Sequence, residues 1–179
     1  MQVWHERLAG QPLATIGRAD YPTNMSNPAP PRRAKLTVTQ ALTADPAAAW
    51  RLLAQGTQVE RWFPWVAATL VDDPSEGGVR HIELKDGSIF DEFITLNDAR
   101  TMTYQYYAPT PPLPIQHVIG THRIEPLAGG GAVLSWYVTF EVMPAAPPDI
   151  VATMRELYRA ALVLIDAAAT KAGIHAHGA

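Results

Sequence analysis

The chain has 179 residues, 47% of them hydrophobic, which suits one domain with a substantial core. A formal charge of −3 gives no basic footprint for nucleic acid, and no apolar run is long enough to span a bilayer. The absence of cysteine excludes disulfides, thiol nucleophiles and Cys-ligated metals, and fits a cytoplasmic protein without a signal peptide.

Residues 1–33 read as an irregular extension, since Pro22, Pro28, Pro30 and Pro31 alternate with Asn24, Ser26 and Asn27. Met25 would serve as a second start, although Val3, Trp4, Leu8, Leu13 and Ile16 could cover part of the domain. Residues 35–42 alternate, with Leu36 and Val38 on one side, and predict a half-buried strand. Asp45-Pro46 then predicts an N-cap and first helical turn, with a helix over 47–54 and a stop at Gly56. Thr57-x-x-Glu60 matches a capping box for a second short helix ending near Phe63-Pro64, and residues 65–71 predict a strand.

Asp86-Gly87 between two strand-like runs signals a hairpin. With those two residues as the loop, Leu84 faces Ile89, Ile82 faces Asp91 and Arg80 faces Phe93. Those side chains then share one face, because side chains alternate along strands. The face is apolar apart from Asp91 and its diagonal neighbour Arg80, which suggests a cavity with polar groups. An even-numbered loop around residues 97–100 next sets Thr95 opposite Met102, Phe93 opposite Tyr104 and Asp91 opposite Tyr106. Prolines 109, 111, 112 and 114 mark a loop, and residues 115–125 and 132–143 predict the last strands. His117 and His122 fall on opposite faces of a regular strand and cannot share a metal. Ile150, Met154, Leu157, Ala161, Ile165 and Ala168 recur at helical spacing and predict a long one-sided C-terminal helix. His175-x-His177 falls in a flexible tail over 173–179.

Strand, two short helices, antiparallel meander and long helix predict an α+β fold, with the helix across a concave sheet. The order resembles the START/polyketide cyclase–dehydrase superfamily of helix-grip proteins, which includes the birch-pollen allergen and the plant abscisic acid receptors. The resemblance spans about residues 34–170, within a ligand-binding domain bounded at 34–172. It is carried by Asp45-Pro46-Ala47-Ala48-Ala49-Trp50, Trp62-Phe63-Pro64, Gly78-Val79-Arg80 and Asp86-Gly87. It continues through Asp91-Glu92-Phe93, Leu96-Asn97-Asp98, Tyr104, Thr121-x-Arg123 and the run from Trp136 to Phe140. The family usually has Glu where this reading aligns Asp91. In the hormone receptors that acid lines the ligand pocket, so the resemblance implies the same of Asp91. Lys85-Asp86-Gly87-Ser88 is a tight turn and departs from the receptors' gate loop.

One fold hosts many functions, and two readings stay open. The first is a cofactor-free cyclase or dehydratase acting on a hydrophobic or aromatic molecule. In it Asp91 accepts a proton, Tyr106 donates to a carbonyl, Arg80 keeps Asp91 ionised, and His122 is a further acid–base group. The second is a non-catalytic carrier or interaction module, with Arg80 and Asp91 an internal ion pair. Either predicts a cavity on the scale of ligand pockets, roughly 300–1,000 Å³. Its expected lining is Trp62, Ile82, Leu84, Ile89, Phe93, Tyr104, Val118, Trp136, Val138, Met154 and Tyr158. Trp50, Trp62, Trp65 and Trp136 read either as pocket wall or as core. No motif calls for a metal or another cofactor.

Overall fold

The computed structural model describes residues 29–128 and 131–176. The expectations for residues 1–28, Met25 among them, and for residues 177–179 lie outside the described residues. The described chain forms seven strands and two α-helices. The strands are β1 (Arg32–Ala41), β2 (Val66–Val71), β3 (Val79–Leu84), β4 (Ile89–Asp98), β5 (Thr103–Ala108), β6 (Ile115–Pro126) and β7 (Ala132–Val142). They make one antiparallel sheet in the order β1-β7-β6-β5-β4-β3-β2. Helix α1 (Pro46–Ala54) follows β1, and helix α2 (Ile150–Ala176) lies against β1, β7 and α1. This is the helix-grip arrangement. No helix among the described residues is long and apolar enough to cross a membrane.

Local signals explain most elements. The Asp45 carboxylate accepts from the Ala48 amide at 2.9 Å, with Pro46 in the first turn of α1. The Thr57–Glu60 capping box does not form. The chain makes only a 3-10 turn over Val59–Arg61, its N-cap Gln58 makes no side-chain cap, and Glu60 accepts instead from the Thr69 hydroxyl at 2.8 Å. The inner sheet face and the buried stripe of α2 close on each other through Leu36, Val38, Leu134, Trp136, Val138 and Phe140 opposite Met154, Tyr158, Ala161, Leu162 and Ile165. One buried polar group ties the β1–α1 connection to α2. The Asp166 carboxylate accepts from the amides of Thr43 (2.9 Å) and Ala44 (3.0 Å) and from the Thr43 hydroxyl (2.8 Å). Helix α2 continues past residue 172 through Ala176, because its Ala-rich end keeps helical propensity.

The first hairpin is shifted by one residue from the register expected. Arg80 pairs with Glu92, His81 with Asp91, and Ile82 with Phe90. A two-residue loop of the favoured type needs positive φ at both central residues. Here only Gly87 has it, at +84°, and Asp86 does not. The loop is therefore Lys85-Asp86-Gly87, closed by Gly87 N–H donating to Leu84 (2.9 Å) and Leu84 N–H donating to Ser88 (2.8 Å). Asp86 stabilises it by accepting from the Ser88 amide and hydroxyl at 2.9 and 2.7 Å. A one-residue slip turns every side chain over. Ile89, Asp91 and Phe93 therefore face outward, and Phe90, Glu92 and Ile94 face inward.

The second hairpin has an even four-residue loop, but at residues 99–102 instead of 97–100, with Asp98 opposite Thr103. A bulge between Ile94 and Leu96 then changes the parity, so Ile94 faces Tyr106 and Phe93 faces Tyr107. The expected pairs Phe93–Tyr104, Asp91–Tyr106 and Thr95–Met102 are absent because the loop lies two residues further along, which moves each partner four residues along β5, and the bulge then takes back one.

Candidate functional site

The interior polar site is built on the paired positions of β3 and β4. Arg80 and Glu92 are directly opposite and both buried, at 6% and 8% exposure. The Arg80 Nε donates to Glu92 Oε2 at 2.6 Å, and one terminal nitrogen also contacts that oxygen. The other terminal nitrogen donates to the Gly56 carbonyl, just beyond α1, at 3.1 Å. The guanidinium lies 5.0 Å from the Tyr106 ring centre and 5.6 Å from that of Tyr104. Burial alone would lower the Arg80 pKa, but the Glu92 carboxylate with the two tyrosines outweighs it and holds the pKa above its ordinary value.

Two small chambers adjoin this pair. The first, about 40 Å³, lies beneath α1 and is bounded by Trp62, Arg80, Glu92, Tyr104, Tyr106, His122 and Trp136. The second, about 70 Å³, is mostly apolar and is bounded by Trp65, Ile82, Phe90, Val118, Met154 and Tyr158. Val59, Phe63, Glu92 and Tyr106 contribute to both. The single large cavity expected from the sequence is not there, because aromatic rings fill it. Phe63 packs on Trp65 (5.0 Å), Trp136 (5.9 Å) and Tyr158 (6.0 Å), and Trp136 packs on Tyr158 (4.3 Å). Tyr106 itself crosses β6 at Gly120, where a Cβ would lie 2.2 Å from the ring.

The first chamber is polar and incompletely satisfied. Among the described residues, four buried atoms on its wall lack a hydrogen bond of good geometry: Tyr104 OH, Trp136 Nε1 and both ring nitrogens of His122. Each such group costs about 1–3 kcal/mol unless water or a ligand completes it. Burial, reinforced by the nearby Arg80 charge, lowers the His122 pKa to about 3, so the ring is neutral at pH 7. A neutral imidazole offers one donor and one acceptor. Burial first, then Tyr158 and Glu92, pushes the Tyr106 hydroxyl well above the ordinary phenol range. It is therefore a proton donor at pH 7. The Tyr158 hydroxyl is raised likewise by burial and Glu92.

The structure brings Arg80, Tyr106 and His122 together, with Trp62, Tyr104 and Trp136 at the first chamber and Ile82, Val118, Met154 and Tyr158 at the second. Val138 is buried in the core, away from the lining of either chamber, and Leu84 is only partly buried beside the turn. Ile89 and Phe93 are 65% and 41% exposed on the outer face. Asp91 is also outside: its carboxylate meets His81 Nδ1 at 2.7 Å, while His81 Nε2 meets Asp72 at 3.2 Å. The inward acid is Glu92, which sequence reasoning missed. Its signal was available, since Asp86-Gly87 also fits a three-residue loop, and the family's expected glutamate stands one position along. Trp50 belongs to the core. No cluster of three metal-ligating side chains forms among the described residues.

A sheet gripping a long helix around a small polar-to-apolar interior defines a hydrophobic-ligand-binding fold. Residues 33–170 match the family described as polyketide cyclase/dehydrase and lipid transport, and the chain belongs to that family. No curated protein matches the chain significantly. An uncharacterized protein from Bacillus thuringiensis is similar in structure, with a TM-score of 0.64 and 18% identity over 75% of this chain and 98% of that one. Ara h 8.0201 superposes with a TM-score of 0.61 at 18% identity, covering 77% of this chain and 98% of its own. A truncated norcoclaurine synthase from Thalictrum flavum gives 0.56 at 12% identity, covering 76% and 92%. At these identities the likeness speaks for the fold.

Proposed function

We propose that this protein binds a small hydrophobic or aromatic molecule carrying a hydroxyl or carbonyl group. The apolar body would enter the second chamber, and the oxygen would reach past Glu92 and Tyr106 toward Tyr104, His122 and Trp136. The observation that carries the reading is the set of four unpartnered polar atoms around one chamber. Such groups are normally satisfied, and a site that leaves them bare favours a ligand able to complete them. The chambers are far below the roughly 300–1,000 Å³ of ordinary ligand pockets. Entry of a bicyclic molecule therefore requires Phe63 and Trp65 to move aside.

The same geometry favours turnover as a second reading, with Glu92 in the role first given to Asp91. Glu92 would take a proton from carbon beside a carbonyl, while Tyr106 donates to the carbonyl oxygen and neutral His122 shuttles the proton. A carrier would use the same contacts without chemistry.

Fluorescence titration with 2-naphthol and with naphthalene tests binding, since Trp62, Trp65 and Trp136 line the chambers. Naphthol should bind more tightly, and Trp136→Phe with Tyr104→Phe should remove the difference. Equal affinity for the two probes, or none for either, would overturn the binding reading. Deuterium exchange beside the carbonyl of 2-tetralone in heavy water tests turnover. Exchange that is lost in Tyr106→Phe supports an enzyme, and exchange no faster than buffer supports a carrier.

A further inference from the structure

We propose that the outer face of the sheet pairs two copies of this chain about a two-fold axis running along β6. Five strands, β4-β5-β6-β7-β1, present one outward row across this face: Phe93, Tyr107, Ile119, Thr139 and Lys35, each opposite the next. Ile119 at its centre is 40% exposed, and Phe93 at its β4 end is 41% exposed. One outward position further, toward the N-terminal ends of the parallel-running β4 and β1, stand Asp91 and Arg33. The face is thus polarised. Asp91 with Asp72 makes the β4 end acidic around His81, and Arg33 with Lys35 makes the β1 end basic. Arg33 is held only loosely within its own chain, 3.7 Å from Glu141 with its side chain 91% exposed.

A two-fold axis lying between the copies along their β6 strands exchanges the two ends. Ile119 then meets its own counterpart on the axis, Lys35 meets the partner's Phe93, and Arg33 meets the partner's Asp91. At about 4.8 Å per strand, β4 and β1 lie about 19 Å apart in each copy, and the two-fold axis repeats the same pairing at both ends. Shape follows the same exchange. The β1 end carries a groove of about 590 Å³, shaped by the β6 bulge at His117 (φ +51°), and the β4 end carries the projecting Phe93. A self-complementary patch with opposite charges at its ends is what an isologous dimer requires.

The test is mass by sedimentation equilibrium at low salt and high micromolar concentration, on the wild type and four variants. The wild type should show twice the 19.5 kDa chain mass. Arg33→Asp and Asp91→Arg alone should each weaken association about tenfold or more, and the two combined should restore it. Ile119→Asp, which sets like charges on the axis, should give monomer with an unchanged circular dichroism spectrum. A monomeric wild type, a dimer indifferent to Ile119→Asp, or a double charge swap that fails to restore association would overturn the proposal.

Discussion

Glu92→Gln should destabilise this protein far more than Asp91→Asn, although the two acids are adjacent. The Arg80 guanidinium is buried, and Glu92 is its one carboxylate partner among the described residues. Removing one member of a buried pair typically costs about 3–5 kcal/mol, because the other charge stays behind unpaired. Arg80 keeps the Gly56 carbonyl at 3.1 Å and two aromatic faces, and Gln retains a hydrogen-bonding oxygen. The lower end, about 3 kcal/mol, is therefore expected. For a chain of this size each kcal/mol shifts the melting temperature by about 2–4 °C, so the drop should be about 6–12 °C. Asp91 is half exposed, and its His81 contact is solvent-screened, so Asp91→Asn should leave the melting temperature nearly unchanged. Replacing both partners, as Arg80→Met with Glu92→Leu, should recover much of the loss, since it strands no charge. Thermal and urea unfolding followed by circular dichroism measure all four proteins. Equal effects of the two single substitutions, or a larger one at Asp91, would refute the inward placement of Glu92.

Gly120→Ala should cost about 1–3 kcal/mol by urea unfolding, because its Cβ would meet the Tyr106 ring at 2.2 Å and force it to shift. His122, whose folded pKa of about 3 lies below the ordinary 6.5, should show ring resonances that do not titrate between pH 8 and pH 5. Its contribution to stability is fully present above pH 6.5 and is lost as pH falls toward 3, so His122→Phe should flatten the acid limb of the melting-temperature profile. Asp166→Ala strands the Thr43 and Ala44 amides and should lower stability by about 3 kcal/mol in the same urea assay.

The elements of this fold were legible because their signals are local. Asp45-Pro46 caps and starts a helix wherever it sits, Leu36 and Val38 mark a strand face, and the period of Ile150, Met154, Ala161 and Ile165 makes one face of α2 apolar. The helix-grip order then follows from their sequence alone. Which acid faces inward was not decided by the strand pattern alone. Asp91 and Glu92 are equal candidates until the turn at Lys85-Asp86-Gly87 chooses three residues over two, and φ at Asp86 makes that choice only in the folded hairpin. The bulge between Ile94 and Leu96 likewise reverses the parity of β4 against β5, and no single residue announces it. The filling of the interior was also decided in three dimensions. Phe63, Trp136 and Tyr158 lie far apart along the chain, and only their packing decides whether the aromatic residues line an open pocket or close it. Composition and periodicity specify elements one at a time. The site depends on register and on contacts between elements, where a shift of one residue turns a buried acid into an exposed one.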